Sequence, residues 1–140
     1  MREERGQTAL LIMGLFLVSV LLVGVVVDAS AAFLRRQSLT SLADGAALAA
    51  ADGVQGEQVY SGGLGELALI DPAVARDYVV DYLAASGAAA DFPGLQFVVR
   101  TEADSVTVRL AAPMDLPIPP PGFAEQAQVV AESSSVVLVG

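Results

Sequence analysis

The chain has no histidine, cysteine or tryptophan, and all seven of its basic residues are arginine. Those absences exclude a disulfide framework, a cysteine nucleophile, a histidine general base, a Schiff-base lysine and any zinc site built on His or Cys. Charge is scarce too: 16% of the 140 residues are charged, and the balance is acidic, with a net charge of −9. Nothing basic is gathered to displace phosphate counterions, which excludes nucleic acid as a partner. An enzyme would have to work with Asp, Glu, Ser, Tyr and Arg alone, and no two carboxylates are placed to push their pKa values apart. Calcium-loop and phosphate-loop patterns are missing. Gly63-Leu64-Gly65-Glu66-Leu67-Ala68 has the letters of a dinucleotide fingerprint. Such a fingerprint needs a strand before it and an acidic residue closing a second strand, and here Asp77 and Asp81 fall within an expected helix. It reads as a loop, so no cofactor and no small-molecule substrate are expected.

What the chain has is hydrophobic length. Apolar residues make up 54% of it. From Ala9 to Val27 the sequence ALLIMGLFLVSVLLVGVVV runs for nineteen residues without a charge. As a helix it measures about 28 Å, close to the ~30 Å hydrocarbon core of a bilayer. The segments expected are 1–8, a short N-terminal piece; 9–27, a transmembrane helix; 28–52, a juxtamembrane helix; and 53–140, a small head. Ala29-Ser30-Ala31 also fits a signal-peptidase site, but the run is longer than a typical h-region and Asp28 sits in the cleavage zone, so a retained anchor is expected. Arginines flank both ends of the run, Arg2 and Arg5 on one side and Arg35 and Arg36 on the other. Residues 28–140 hold 14 acids and 5 arginines. The expected topology is single-pass in the cell membrane, N-terminus cytoplasmic and head extracytoplasmic.

Between Asp28 and Asp52 there is no proline, and alanine and leucine dominate, so helix propensity stays high. One helix from about Thr8 to Asp52, with Gly53 as its C-cap, is the economical expectation. Leu39, Leu42, Ala46 and Ala49 recur at helical spacing as a narrow apolar stripe. A stripe made mostly of alanine allows a close neighbour, either the chain's own distal part or another subunit. Asp28 reads as a solvated helix flank or as the partner of Arg35 or Arg36. Within one straight helix that pair is stretched; between subunits it is easier to make.

Arg5-Gly6-Gln7 opening an apolar span, Asp28 at its exit, the Arg35-Arg36 pair and Asp44-Gly45-Ala46-Ala47-Leu48-Ala49-Ala50-Ala51 together resemble the Tad (tight adherence) pilus-assembly family, and within it the N-terminal region of TadG-like and TadE-like proteins. The likeness covers about residues 5–52. It implies a membrane-anchored protein of the Flp/Tad apparatus at the cell surface, a minor pilin or pilus-associated subunit that is not an enzyme. Its partners would be the membrane and pilin-like or Tad-apparatus subunits met through the long helix. Asp28, Arg35, Arg36, Leu39, Leu42, Asp44, Ala46 and Ala49 are the residues expected to carry those contacts. Gly6 stands where precursors cut by prepilin peptidase have glycine, but Leu11 stands where they have glutamate. The alternative is a membrane-tethered extracytoplasmic binding or sensor module, whose helix only tethers it.

Beyond Asp52, a loop is expected over Gly53–Gly65. Asp71-Pro72 is a helix start, with the helix ending at Gly87. Leu95–Thr101 and Ser105–Leu110 alternate as a hairpin, with Phe97 and Val99 on one face and Val106, Val108 and Leu110 on another. Pro113–Pro121 is expected to stay out of any central strand, and a last strand covers about Ala127–Val139. The fold class is α+β: a membrane helix continuing into a long juxtamembrane helix, then a pilin-like head of one helix and about three antiparallel strands.

Overall fold

All seven prolines lie at position 72 or later, so nothing in the first half of the chain removes a helical N–H or clashes with a preceding carbonyl. The result, in a computed structural model that describes residues 2–61, 70–115, 117–118, 122 and 126–137, is a single helix α1 over Arg2–Ser61. It passes from the apolar run into the juxtamembrane segment without interruption. Two hydroxyls in and just beyond the apolar run are satisfied within the helix: Ser19 donates to the Leu15 carbonyl at 2.8 Å and Ser30 to the Val26 carbonyl at 2.7 Å. Neither exposes an unpaired donor to an apolar surrounding.

α1 does not stop at Gly53. It continues through Gly53 and Gly56 to Ser61, and the reason lies in packing. A Cβ built on Gly53 would sit 2.5 Å from the ring of Tyr78, and one built on Gly45 would collide with the Tyr82 hydroxyl. Gly53 is therefore a contact point for another helix, and its chain neighbours remain helical. The Gly53–Gly65 loop expectation fails up to Ser61; its remainder and the Gly63–Ala68 motif lie outside the described residues.

The helix whose tyrosines fill those gaps is α2, Pro72–Ala85. Asp71 caps it as expected, its carboxylate accepting the Ala73 N–H at 2.8 Å, with Pro72 inside the first turn. Gly87 follows in the left-handed region (φ 71°) and leads into a single turn, α3, Ala88–Asp91. Three strands complete the head: β1 Gln96–Thr101, β2 Ser105–Asp115 and β3 Gln126–Val136. They form one antiparallel sheet in the order β1-β2-β3.

Two strand expectations are corrected. Phe97 pairs with Leu110, Val99 with Val108 and Thr101 with Val106, so all these side chains share one face. That face also carries Ala131 opposite Leu110 and Val129 opposite Ala112. β2 runs on through Pro113, which pairs with Gln128. Proline is tolerated in this middle strand because β1 ends at Gln96, opposite Ala111, so Pro113 has a neighbour on one side only. Leu138 and Val139 of the last expected strand, and Pro119–Pro121, lie outside the described residues.

The shared face lies against α1, and α2 packs against both α1 and β1. Leu39, Ala43, Ala46, Ala47 and Ala50 of α1, Val79 of α2, and Val106, Val108 and Leu110 of β2 are fully buried in one cluster. The head thus completes its core with side chains of the long helix, as a unit of its size requires.

The two glycines of α1 separate packing from propensity. Gly56→Ala, with open space around it, is expected to stabilise the chain by up to about 1 kcal/mol. Gly53→Ala meets the root of the Tyr78 ring and is expected to destabilise by about 1–3 kcal/mol despite the same gain in propensity. Thermal unfolding of both variants in one detergent, followed by circular dichroism, checks the opposite signs.

Candidate functional site

Among the residues proposed from sequence for contacts between subunits, Leu39 and Ala46 are fully buried under the chain's own sheet and α2. Leu42 and Ala49 lie half-buried at the margin of that covered stripe, and Asp44 is exposed. Of the two neighbours that the stripe could take, the structure shows the head. Apolar side chains left uncovered beyond Val27 lie elsewhere on the helix, among them Phe33 (67% exposed), Leu34 (62%) and Leu48 (55%), with Val59 and Tyr60 exposed near its far end. Below them the side chains of the apolar run from Leu10 to Val27 are exposed, and among the described residues Ile118 packs on it at Gly24.

That contact belongs to the most closely built feature at the helix exit. Asp28 is 8% exposed, a buried carboxylate at the lower limit of the cover on α1, with Ala31 and Ala32 half-buried one turn above it. Its Oδ1 accepts the backbone N–H of Ile118 at 2.8 Å. Ile118 comes from the segment joining β2 to β3, and its side chain lies beside Gly24, where a Cβ would be 3.7 Å from Cγ2. The carboxylate thus ties the lower end of the head to the helix one turn below. A carboxylate that accepts an N–H in this way gains a charge-assisted bond in place of water.

Neither Arg35 nor Arg36 meets Asp28 within the chain. The Arg35 guanidinium lies 4.3 Å from the centroid of the Phe92 ring, a cation–π contact that pins the α3 turn to α1, and Arg36 is exposed. A second such contact places Arg76 of α2 over Phe97 of β1 at 4.8 Å. An ion pair joins Arg109 and Glu132 on the outer face of the sheet, at 3.8 Å and half exposed, where it adds little. Among the described residues no three acidic or metal-ligating side chains gather as a metal site. The chemistry of the exit is therefore that of attachment: one buried hydrogen bond, one stacked arginine and a bare apolar surface.

Sequence reasoning picked out Asp28 and Arg35 and missed their partners. Ile118 acts through its backbone amide, which any residue but proline has, and it stands ninety residues from Asp28. Phe92 has no helical or strand periodicity to mark it.

Asp28→Ala leaves the Ile118 N–H without its acceptor and is expected to cost about 1–3 kcal/mol. Asp28→Asn keeps a side-chain oxygen at the same place and should retain most of that stability. Amide exchange read at Ile118 checks it: protection is lost in Asp28→Ala and kept in Asp28→Asn.

No curated protein and no solved structure matches the chain. A family model does match its first third, over the apolar run, Asp28, the arginine pair and the alanine stripe. Residues 6–53 match the Tad family, described as putative Flp pilus-assembly TadE/G-like.

Proposed function

We propose that the chain is a non-enzymatic, single-pass membrane protein of a Tad/Flp-type pilus-assembly apparatus, a minor pilin or pilus-associated subunit with its N-terminus cytoplasmic and its head outside. The observation that carries this reading is the family match over residues 6–53, the stretch that also holds the apolar run. Support comes from the physical state of that stretch. One helix is long and apolar enough to cross a membrane, and the head leaves its most hydrophobic window uncovered. Water is a poor neighbour for so much apolar surface; acyl chains and other apolar helices are good ones.

Contacts with other subunits fall, on this reading, to surfaces the head does not use. These are the flanks of the membrane helix and, above it, Phe33, Leu34 and Leu48, with Asp44 one turn below Leu48. Leu42 and Ala49 border the covered stripe and widen the contact where a neighbouring helix approaches from the side. Leu39 and Ala46 serve folding, and their effect on assembly is indirect.

Photo-cross-linking from single positions in pilus-producing cells tests the proposal. A photoreactive residue at Phe33 or Leu48 is expected to give adducts with pilin-like subunits, and one at Val98, exposed on the outer face of the sheet, is not. Adducts from Val98 alone would contradict the assembly reading and favour a tethered binding module.

A further inference from the structure

Ile118 reaches down the long helix to Gly24, three residues inside the apolar run. We infer that the segment around Pro117 and Ile118 is a membrane seat, a hook from the head that rests in the outer lipid interface beside the helix. The inference builds on the single-pass reading above and adds a second point of attachment to the bilayer.

Three observations carry it. The first is depth. Gly24 lies about 4 Å below Val27 along a helix rising 1.5 Å per residue, so a side chain packed on it stands at or under the level where the apolar run ends. The second is composition. From Leu116 to Phe123 the sequence LPIPPPGF has no charge and no polar side chain, and the Ile118 side chain is 52% exposed with a bare helix beneath it. The third is the backbone. Non-helical chain is costly in a lipid surrounding because its N–H groups go unpaired. From Pro117 to Pro121 four of the five residues are proline and have no N–H. The one remaining donor, Ile118 N–H, is spent on Asp28. The same bond hides the only acid between Glu4 and Asp44. With Asp28 covered, the run free of open charge extends from Ala9 to Leu34, about 39 Å of helix, which matches hydrocarbon plus one interfacial layer. Arg36, exposed next to the stacked Arg35, then marks the aqueous edge, where an arginine reaches headgroups.

The occupant of this surface is the lipid bilayer. Tryptophan and cysteine are absent from the chain, so single reporters can be placed in the full-length protein without background. Three variants, Val18→Trp, Ile118→Trp and Val98→Trp, are reconstituted into phosphatidylcholine vesicles with brominated acyl chains. Val18→Trp reports the span and Val98→Trp the aqueous head. The expected result is strong quenching of Val18→Trp, none of Val98→Trp, and for Ile118→Trp a blue-shifted emission quenched to an intermediate degree, most by lipid brominated near the headgroup end. Ile118→Trp left unquenched while Val18→Trp is quenched overturns the seat and leaves the span intact; a blue shift without quenching means cover by protein and overturns it equally. Val18→Trp left unquenched overturns the membrane reading itself. Ile118→Cys guards against misfolding of the larger substitution. In vesicles it should react with a membrane-impermeant maleimide far more slowly than Val98→Cys, and equal rates would overturn the proposal.

Discussion

Two packed elements come as close as their side chains allow, and along residues 39–54 of α1 half of the positions are alanine or glycine. Ala43, Ala46, Ala47 and Ala50 are fully buried, and Gly45 and Gly53 leave room for Tyr82 and Tyr78. This close approach is what makes the head possible. A three-stranded sheet with α2 on one part of it does not enclose a core of its own, and the sheet's apolar face, Val106, Val108 and Leu110, is closed by the long helix. A helix long and apolar enough to cross a membrane is also the spine of the head, and any load on one is passed to the other through a packed core.

The elements with local signals were legible in the sequence. Nineteen uncharged residues announced the apolar helix, Asp71-Pro72 announced α2, and β-branched alternation announced the hairpin. What escaped depended on distant parts of the chain. Gly53 has the same letter whether it caps a helix or receives a ring, and only the position of Tyr78 decides. Pro113 is admitted to β2 by the length of β1, which no property of Pro113 reveals. The alanine stripe was visible as a contact surface, but periodicity says nothing about which neighbour takes it. Asp28 stood out as an acid at the end of an apolar run; its partner, a backbone amide ninety residues on, leaves no trace in composition or spacing.

Occupation of the stripe by the head bears on the proposed role. A bare alanine rail would have invited other helices along its whole length. With the rail covered, the assembly contacts proposed above fall to the apolar run and to the uncovered flanks of α1 beyond it, where Phe33, Leu34 and Leu48 are exposed. Near the exit the arrangement is tighter still, with Ile118 held by Asp28 and Phe92 held by Arg35. These two attachments come from different segments of the chain, one just before β1 and one just after β2, and meet α1 two turns apart at the same end of the head. They leave the head little freedom to swing.

The central claim is that one unbroken helix joins the apolar run to the core of the head. It is tested most directly by pulsed dipolar spectroscopy on the full chain in lipid, with spin labels on Phe16→Cys and Leu48→Cys, both exposed and in a chain that has no other cysteine. A continuous helix predicts a single narrow distribution centred near about 48 Å, thirty-two residues at 1.5 Å each. A broad or markedly shorter distribution would mean that the chain bends at the membrane edge, and the account would be wrong.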